Sequence, residues 1–192
     1  LLPIDLNGVG KILVVGENAL KMMTVGGGSS SLKAKYEISP LDGLRKRVGN
    51  QAEVVYTPGY ISRSSGNNNE VTAEAIELAK DADLVIFIGG LNKDDFQDCE
   101  DSDRKNLGLP YGQDQVIEEL SKVNKNIVVV IISGNAVAMP WIDKVPAVVQ
   151  GWYLGTEAGN ALASILVGDV NPSGKLPMTY GVNLNDYGSH AL

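Results

Sequence analysis

Five short apolar runs punctuate the chain: residues 11–16 (KILVVG), 52–57 (AEVVYT), 83–88 (DLVIFI), 127–132 (IVVVII) and 147–150 (AVVQ). They are continuous Val and Ile runs rather than apolar–polar alternations, which predicts strands covered on both faces, as in a parallel sheet. Between them the apolar positions recur at helical spacing. Ser39 as N-cap, Pro40 at the first helical position, Leu41, Leu44 and Val48 on one face, and Gly49 as the stop outline a first helix. Val71, Ala75, Leu78, Ala79 and Ala82 outline a second, Val116, Ile117, Leu120 and Val123 a third, and Ala158, Ala161, Leu162, Ile165 and Leu166 a fourth. Strand and helix in strict turn predict an α/β fold, a three-layer α/β/α sandwich around a mostly parallel sheet with flavodoxin-like layering.

A chain of 192 residues, 44% of them hydrophobic, is long enough for one well-buried domain and short for two. The net charge of −7 argues against nucleic acid or an anionic membrane surface as partner, because both are held by clustered Lys and Arg. No apolar run approaches the ~18 residues that a membrane-spanning helix needs. The single cysteine, Cys99, has no internal disulfide partner and sits among carboxylates, which do not lower a thiol pKa. The chain opens on LLPIDLNGVG without an initiator methionine or a signal-type segment, so it reads as a piece of something longer whose cellular address is open.

In open α/β sheets, ligands meet the loops that follow the C-terminal ends of the strands. That rule selects residues 17–36, 58–68, 89–110, 133–140 and 151–156. The first and third are each about 20 residues, beyond the ~12–15 at which an unstructured loop usually signals function or disorder. The first carries GGGSSS (residues 26–31), which lacks the GxxxxGK[ST] spacing of a phosphate loop and reads as a flexible, sugar-contacting or solvated loop. In residues 155–161 (GTEAGNA), the small residues read as a helix start suited to close packing.

The third loop gathers Asp94, Asp95, Asp98, Glu100, Asp101 and Asp103 against Lys93, Arg104 and Lys105. Three readings fit: a solvated acidic face, a calcium loop, or a setting for one carboxyl group that handles a proton. An EF-hand spacing fails, since no glycine stands at the sixth position of a loop starting at Asp94 or Asp98 and no glutamate at the twelfth. His190 is the only histidine and lies at the end of the chain, so Ser62, Ser64 and Ser65 have no histidine base and no zinc site is expected. From the residues alone, a solvated acidic face is the default.

Longer stretches change that default. ISPLDGL after GGGSSS, then GGLNKDDFQDCEDSDRKNLGLPYGQDQVIEEL, SGNAVAMPW and VQGWYLGTEAGNALASILVGDVNPSGKLPMTY resemble, in order, the C-terminal domain of family-three glycoside hydrolases, the β-glucosidase family. The resemblance implies a six-stranded α/β sandwich packed against an N-terminal (β/α)8 barrel that is outside this sequence. It implies a retaining, exo-acting enzyme on a β-linked glucoside or related oligosaccharide. No cofactor and no metal are expected. The barrel would supply an aspartate nucleophile, and no segment of this chain resembles the one that carries it. A secreted or periplasmic location is compatible with the family.

In the family this domain supplies the general acid/base glutamate from the loop after its third strand. The pattern there often reads glutamate, glycine, any residue, aspartate, arginine, then a leucine-containing run and LP. Here it is Glu100, Asp101, Ser102, Asp103, Arg104, then Leu107, Leu109 and Pro110, which puts Glu100 in the acid/base position with Asp98 as runner-up. Asp101 stands where glycine is common. Asp101, Asp103 and Arg104 are expected to support the loop, with Arg104 pairing to Asp101 or Asp103, and neighbouring carboxylates are expected to favour the protonated acid. Gly27, Gly28, Ser29, Ser30 and Arg63 are candidates for the substrate cleft. Trp152, Tyr153 and Tyr111 are either sugar-stacking rings or packing groups. The alternative for the whole chain is a non-catalytic module that binds carbohydrate or only packs against a protein partner.

Overall fold

Val and Ile runs become strands here because two layers of helix cover them. The computed structural model describes residues 1–22, 24, 28–30, 32–62, 68–93 and 97–190, with backbone only for Asp103 and His190. Gly27, Arg63, Ser64, Ser65, Asp94 and Asp95 lie outside the described residues, as does the Asp103 side chain. The strands are β1 (Lys11–Val15), β2 (Glu53–Thr57), β3 (Leu84–Gly90), β4 (Asp98–Cys99), β5 (Ser102–Asp103), β6 (Ile127–Ile132) and β7 (Ala147–Gln150). The helices are α1 (Pro40–Val48), α2 (Asn69–Lys80), α3 (Gln113–Val123) and α4 (Ala158–Leu166). β2, β1, β3, β6 and β7 pair in that order, all parallel.

Alternate strand residues feed two separate cores. Leu13, Val15, Val85, Phe87, Val129 and Ile131 pack with Ala75 and Ala79 of α2 and Val116, Ile117 and Leu120 of α3. Ile12, Val14, Ile86, Ile88, Val128 and Val130 pack on the opposite face with Leu41, Leu44 and Val48 of α1 and Leu162, Ala163 and Leu166 of α4. The result is the expected α/β/α layering. Every residue of β3 and β6 is buried, while β7 at the sheet edge is half-buried throughout.

The caps of α1 follow the sequence pattern. The Ser39 side chain accepts from the Asp42 amide, and Gly49 ends the helix at φ 57°. Three expectations need correction. The sheet has five strands among the described residues, not six, and the described residues after α4 form no strand. Val123 is 37% exposed at the end of α3. The buried face of α4 is Gly159, Leu162, Ala163 and Leu166, so Ala161 is exposed and Ile165 only half-buried.

That rotation of α4 has a cause in two glycines. A Cβ on Gly159 would lie 2.0 Å from the Ser39 carbonyl oxygen, and one on Gly43 would lie 2.0 Å from the Gly159 carbonyl carbon. α1 and α4 therefore approach backbone to backbone, with room for nothing larger than hydrogen.

β4 and β5 stand apart from the sheet as a small antiparallel hairpin pairing Asp98 with Asp103 and Cys99 with Ser102. Glu100 and Asp101 alone form its tip. Asp101 has φ 62°, the left-handed region that a glycine enters freely and that costs other residues roughly 1–2 kcal/mol. The same geometry explains why glycine suits this position.

Two stability outcomes follow from these contacts. Gly159→Ala should lower stability by about 1–3 kcal/mol through overpacking, whereas Ala161→Gln on the exposed side should stay within about 0.5 kcal/mol; thermal or urea unfolding compares them. Asp101→Gly should slow amide exchange in the hairpin and raise stability by up to about 1 kcal/mol, because it removes the left-handed strain.

Candidate active site

The sheet order reverses direction between β1 and β3, so the chain leaves these two neighbours toward opposite sides and a crevice opens at their C-terminal ends. The loops after β1 and β3 flank it. Their starts are tied together by the buried Asn18, whose side-chain amide donates to the Leu91 carbonyl at 2.9 Å.

The long loop after β3 is fastened at both ends. Gln113, 1% exposed, bonds Gly90 twice: its amide donates to the Gly90 carbonyl at 2.9 Å and its oxygen accepts from the Gly90 N–H at 2.8 Å. Near the loop's start, the Gln97 oxygen accepts from the Asn92 N–H at 3.0 Å, and its amide donates to the Tyr111 hydroxyl at 3.2 Å. At the other end Asp114 accepts from the Trp141 indole at 2.7 Å and from the Leu109 N–H at 3.3 Å. Burial raises the Asp114 pKa, and these two donors oppose the shift.

Asp98, at the base of the hairpin, is held from three sides. Its Oδ2 accepts from the Gly134 N–H and the Tyr153 hydroxyl, each at 2.6 Å, and its Oδ1 accepts from the Asn135 side-chain amide at 2.8 Å. Burial, and after it the bond to Asp98, pushes the Tyr153 phenol far above its ordinary pKa, so it stays a donor. Lys93 Nζ lies 4.0 Å from the Tyr153 ring centroid, which occupies the face a sugar would stack on.

Arg104 does not pair with Asp101. Its guanidinium donates to the Asn135 side-chain oxygen at 2.5 Å, to the Leu107 carbonyl at 3.4 Å and to the Ala136 carbonyl. Half-burial lowers its pKa, and the Asp98 carboxylate pulls in the opposite direction. An arginine nonetheless keeps its charge. Arg104 thus braces the hairpin against the loop after β6.

Glu100 at the hairpin tip is exposed. Its Oε2 accepts from the Ser29 N–H at 2.5 Å. A Cβ on Gly28 would lie 2.6 Å from both Cβ and Oε2 of Glu100, so only glycine lets the Gly28–Ser30 turn lie against this side chain. Two of the anticipated cleft residues, Gly28 and Ser29, therefore touch the anticipated acid/base directly. Ser30 is exposed in the same turn.

The electrostatics of Glu100 run against expectation. Hydrogen bonds from the Ser29 side chain and then its backbone lower the Glu100 pKa, outweighing a small opposing effect of burial. A donor to the charged form favours the charged form. Within this chain Glu100 is therefore a carboxylate.

A cleft of about 650 Å³ lies beside the hairpin, lined by Lys93, Asp98, Cys99, Glu100, Arg104 and Tyr153, with Met178, Leu184 and Tyr187 of the C-terminal segment as its far wall. Among the described residues no three His, Cys, Asp or Glu side chains converge on a metal position, and no helix is long and apolar enough to cross a membrane. Trp152, at φ 52°, lines a different, more apolar cleft of about 730 Å³ beside β7. Sequence reasoning missed Gln113 and Asn135, whose partners are 23 and 31–37 residues away; the SGNAVAMP stretch itself was the available signal.

Residues 1–191 match the glycosyl hydrolase family 3 C-terminal domain. Over 99% of its length the chain is 49% identical to β-glucosidase BoGH3A of Bacteroides ovatus, of which it covers 26%. It is 34% identical over 94% of its length to a β-xylosidase of Formosa agariphila, covering 25% of that protein. The crystal structure of a Bifidobacterium adolescentis GH3 β-glucosidase superposes with a TM-score of 0.84 at 34% identity, across 99% of this chain and 27% of that one. The chain thus spans about a quarter of the length of these relatives. With the whole sequence matched and the fold shared, this chain belongs to glycosyl hydrolase family 3, as its C-terminal domain.

Proposed function

We propose that the chain is the acid/base-bearing domain of a retaining, exo-acting β-glycosidase of the β-glucosidase type, with Glu100 as general acid/base. The observation that carries this reading is the placement of Glu100. It sits at the two-residue tip of a small hairpin, beside a cleft formed by the loops after β3, β6 and β7, while Asp98 two residues away is occupied by three donors. The names of the relatives, β-glucosidases and a β-xylosidase, support a β-linked glycoside as substrate. The partner is the family's N-terminal (β/α)8 barrel, whose aspartate would be the nucleophile.

The chemistry needs two carboxyl groups about 5–5.5 Å apart. As the nucleophile attacks the anomeric carbon, protonated Glu100 gives its proton to the glycosidic oxygen and the aglycone leaves as an alcohol. A covalent glycosyl ester remains on the nucleophile. Glu100, now a carboxylate, takes a proton from the incoming water, and the sugar departs with its β configuration. For the first step Glu100 must be protonated, so its pKa must rise from the lowered value it has here. A barrel that covers the cleft would raise it by excluding water and by bringing the negative nucleophile near, and would displace the Ser29 bond.

The purified 192-residue chain should therefore fold and leave nitrophenyl β-glucoside intact; turnover at ~1–10³ per second would contradict the division of the site between two domains. In the full-length protein, Glu100→Ala should lower kcat/KM for a disaccharide by about 10²–10⁴-fold and for an activated aryl glycoside far less. Azide should then restore aryl glycoside turnover and yield the β-glycosyl azide. Equal losses on both substrates without azide rescue would return the acidic loop to a structural or purely binding role.

A further inference from the structure

We propose that Asp98, Asn135 and Arg104 form a polarity-fixed chain that positions the Glu100 hairpin, with Asp98 as its acceptor-only end and Arg104 as its donor-only end. The inference rests on the assignment of Glu100 as acid/base and adds the residues through which that side chain is aimed.

Taken alone, the Asn135 amide could be turned either way. Its neighbours remove the choice. A carboxylate can only accept and a guanidinium can only donate, so the Asn135 nitrogen must face Asp98 Oδ1, at 2.8 Å, and its oxygen must face Arg104 Nη2, at 2.5 Å. Asp98 and Arg104 are thereby joined through an amide instead of touching directly. The remaining oxygen of Asp98 is filled by the Gly134 N–H and the Tyr153 hydroxyl, and Arg104 also reaches the Ala136 and Leu107 carbonyls. The chain therefore links the base of the hairpin, the loop after β6 and the segment after β7.

This network lies directly beneath the acid/base. Asp98 and Asp103 are the pair that closes the hairpin, and Glu100 extends from the two-residue tip they support. Tilting the hairpin base moves the Glu100 carboxyl, and a displacement near 1 Å can cost about 10²-fold in rate. No oxygen of Asp98 needs to reach substrate for this. It is a positioning residue.

The polarity supplies the test, made in the full-length enzyme. In Asp98→Asn, the amide oxygen must serve Gly134 and Tyr153, which leaves its NH2 facing the NH2 of Asn135. Asn135 cannot flip without turning its own NH2 toward Arg104. Disaccharide kcat/KM should fall about 10–100-fold, and aryl glycoside kcat/KM less than about 3-fold, since a good leaving group needs little protonation. Asn135→Asp alone should also fall, because two carboxylates then face each other. The double variant Asp98→Asn with Asn135→Asp satisfies every donor and acceptor again: the amide introduced at position 98 donates its NH2 to the carboxylate introduced at position 135, and that carboxylate accepts in turn from Arg104. Its disaccharide-to-aryl ratio should return to within about 3-fold of wild type.

A merely destabilising change would lower both substrates together and leave the ratio alone. Tyr153→Phe, which removes one donor and keeps the ring, is the milder probe should Asp98→Asn fold poorly, and it should move the ratio in the same direction. An unchanged ratio in these variants, or a double variant as impaired as Asp98→Asn, overturns the proposal while leaving Glu100 in place. Azide rescue of Asp98→Ala would instead make Asp98 the acid/base and overturn both assignments.

Discussion

β3 and β6 are buried on both faces along their whole length, and nearly everything else about the molecule follows from that requirement. Helices must cover each side, so consecutive parallel strands are joined by crossovers and their C-terminal ends are left as the free edge. The strand order then sends the chain in opposite directions from β1 and β3. Two long loops consequently meet over one crevice, and the contact between Glu100 of one and Ser29 of the other spans it.

The crowded carboxylates in the loop after β3 divide the work by surroundings. Asp98 is an anchor because donors from two other loops fill it. Asp101 occupies a left-handed turn position where its side chain matters less than its backbone angle. Asp114, just past the loop, is buried and tied to Trp141. Glu100 and Asp101 are both exposed at the hairpin tip, but of the two only Glu100 lines the cleft and is tethered by the Ser29 N–H, which is why the proposed acid/base role falls to it.

Strands and helix ends are largely legible in the sequence because their determinants are local: unbroken Val and Ile, Ser39 before Pro40, Gly49 after Val48. The rotation of α4 is not, since it depends on Gly43, 116 residues before Gly159 along the chain. The partners of Arg104 escape sequence reasoning for the same reason. Charge proximity along the sequence favours Asp101 as a partner, whereas the fold presents Arg104 with Asn135 and the Ala136 carbonyl. The position of Glu100 is reached through the family pattern and not through composition, which leaves a solvated loop as the default. The lowered Glu100 pKa cannot be anticipated from the chain, because it depends on the Gly28–Ser30 turn crossing from another strand.

The central claim is that this chain orients Glu100 but does not by itself make it an acid. The most direct measurement is a carboxyl-carbon NMR titration of Glu100, first in the 192-residue chain and then in the full-length protein. The account predicts a midpoint below the ordinary glutamate value of about 4.3 in the chain alone, where Ser29 donates to the carboxylate, and a midpoint above it once the rest of the enzyme covers the cleft. A midpoint already raised in the isolated chain, or one that stays low in the full-length protein, would contradict it.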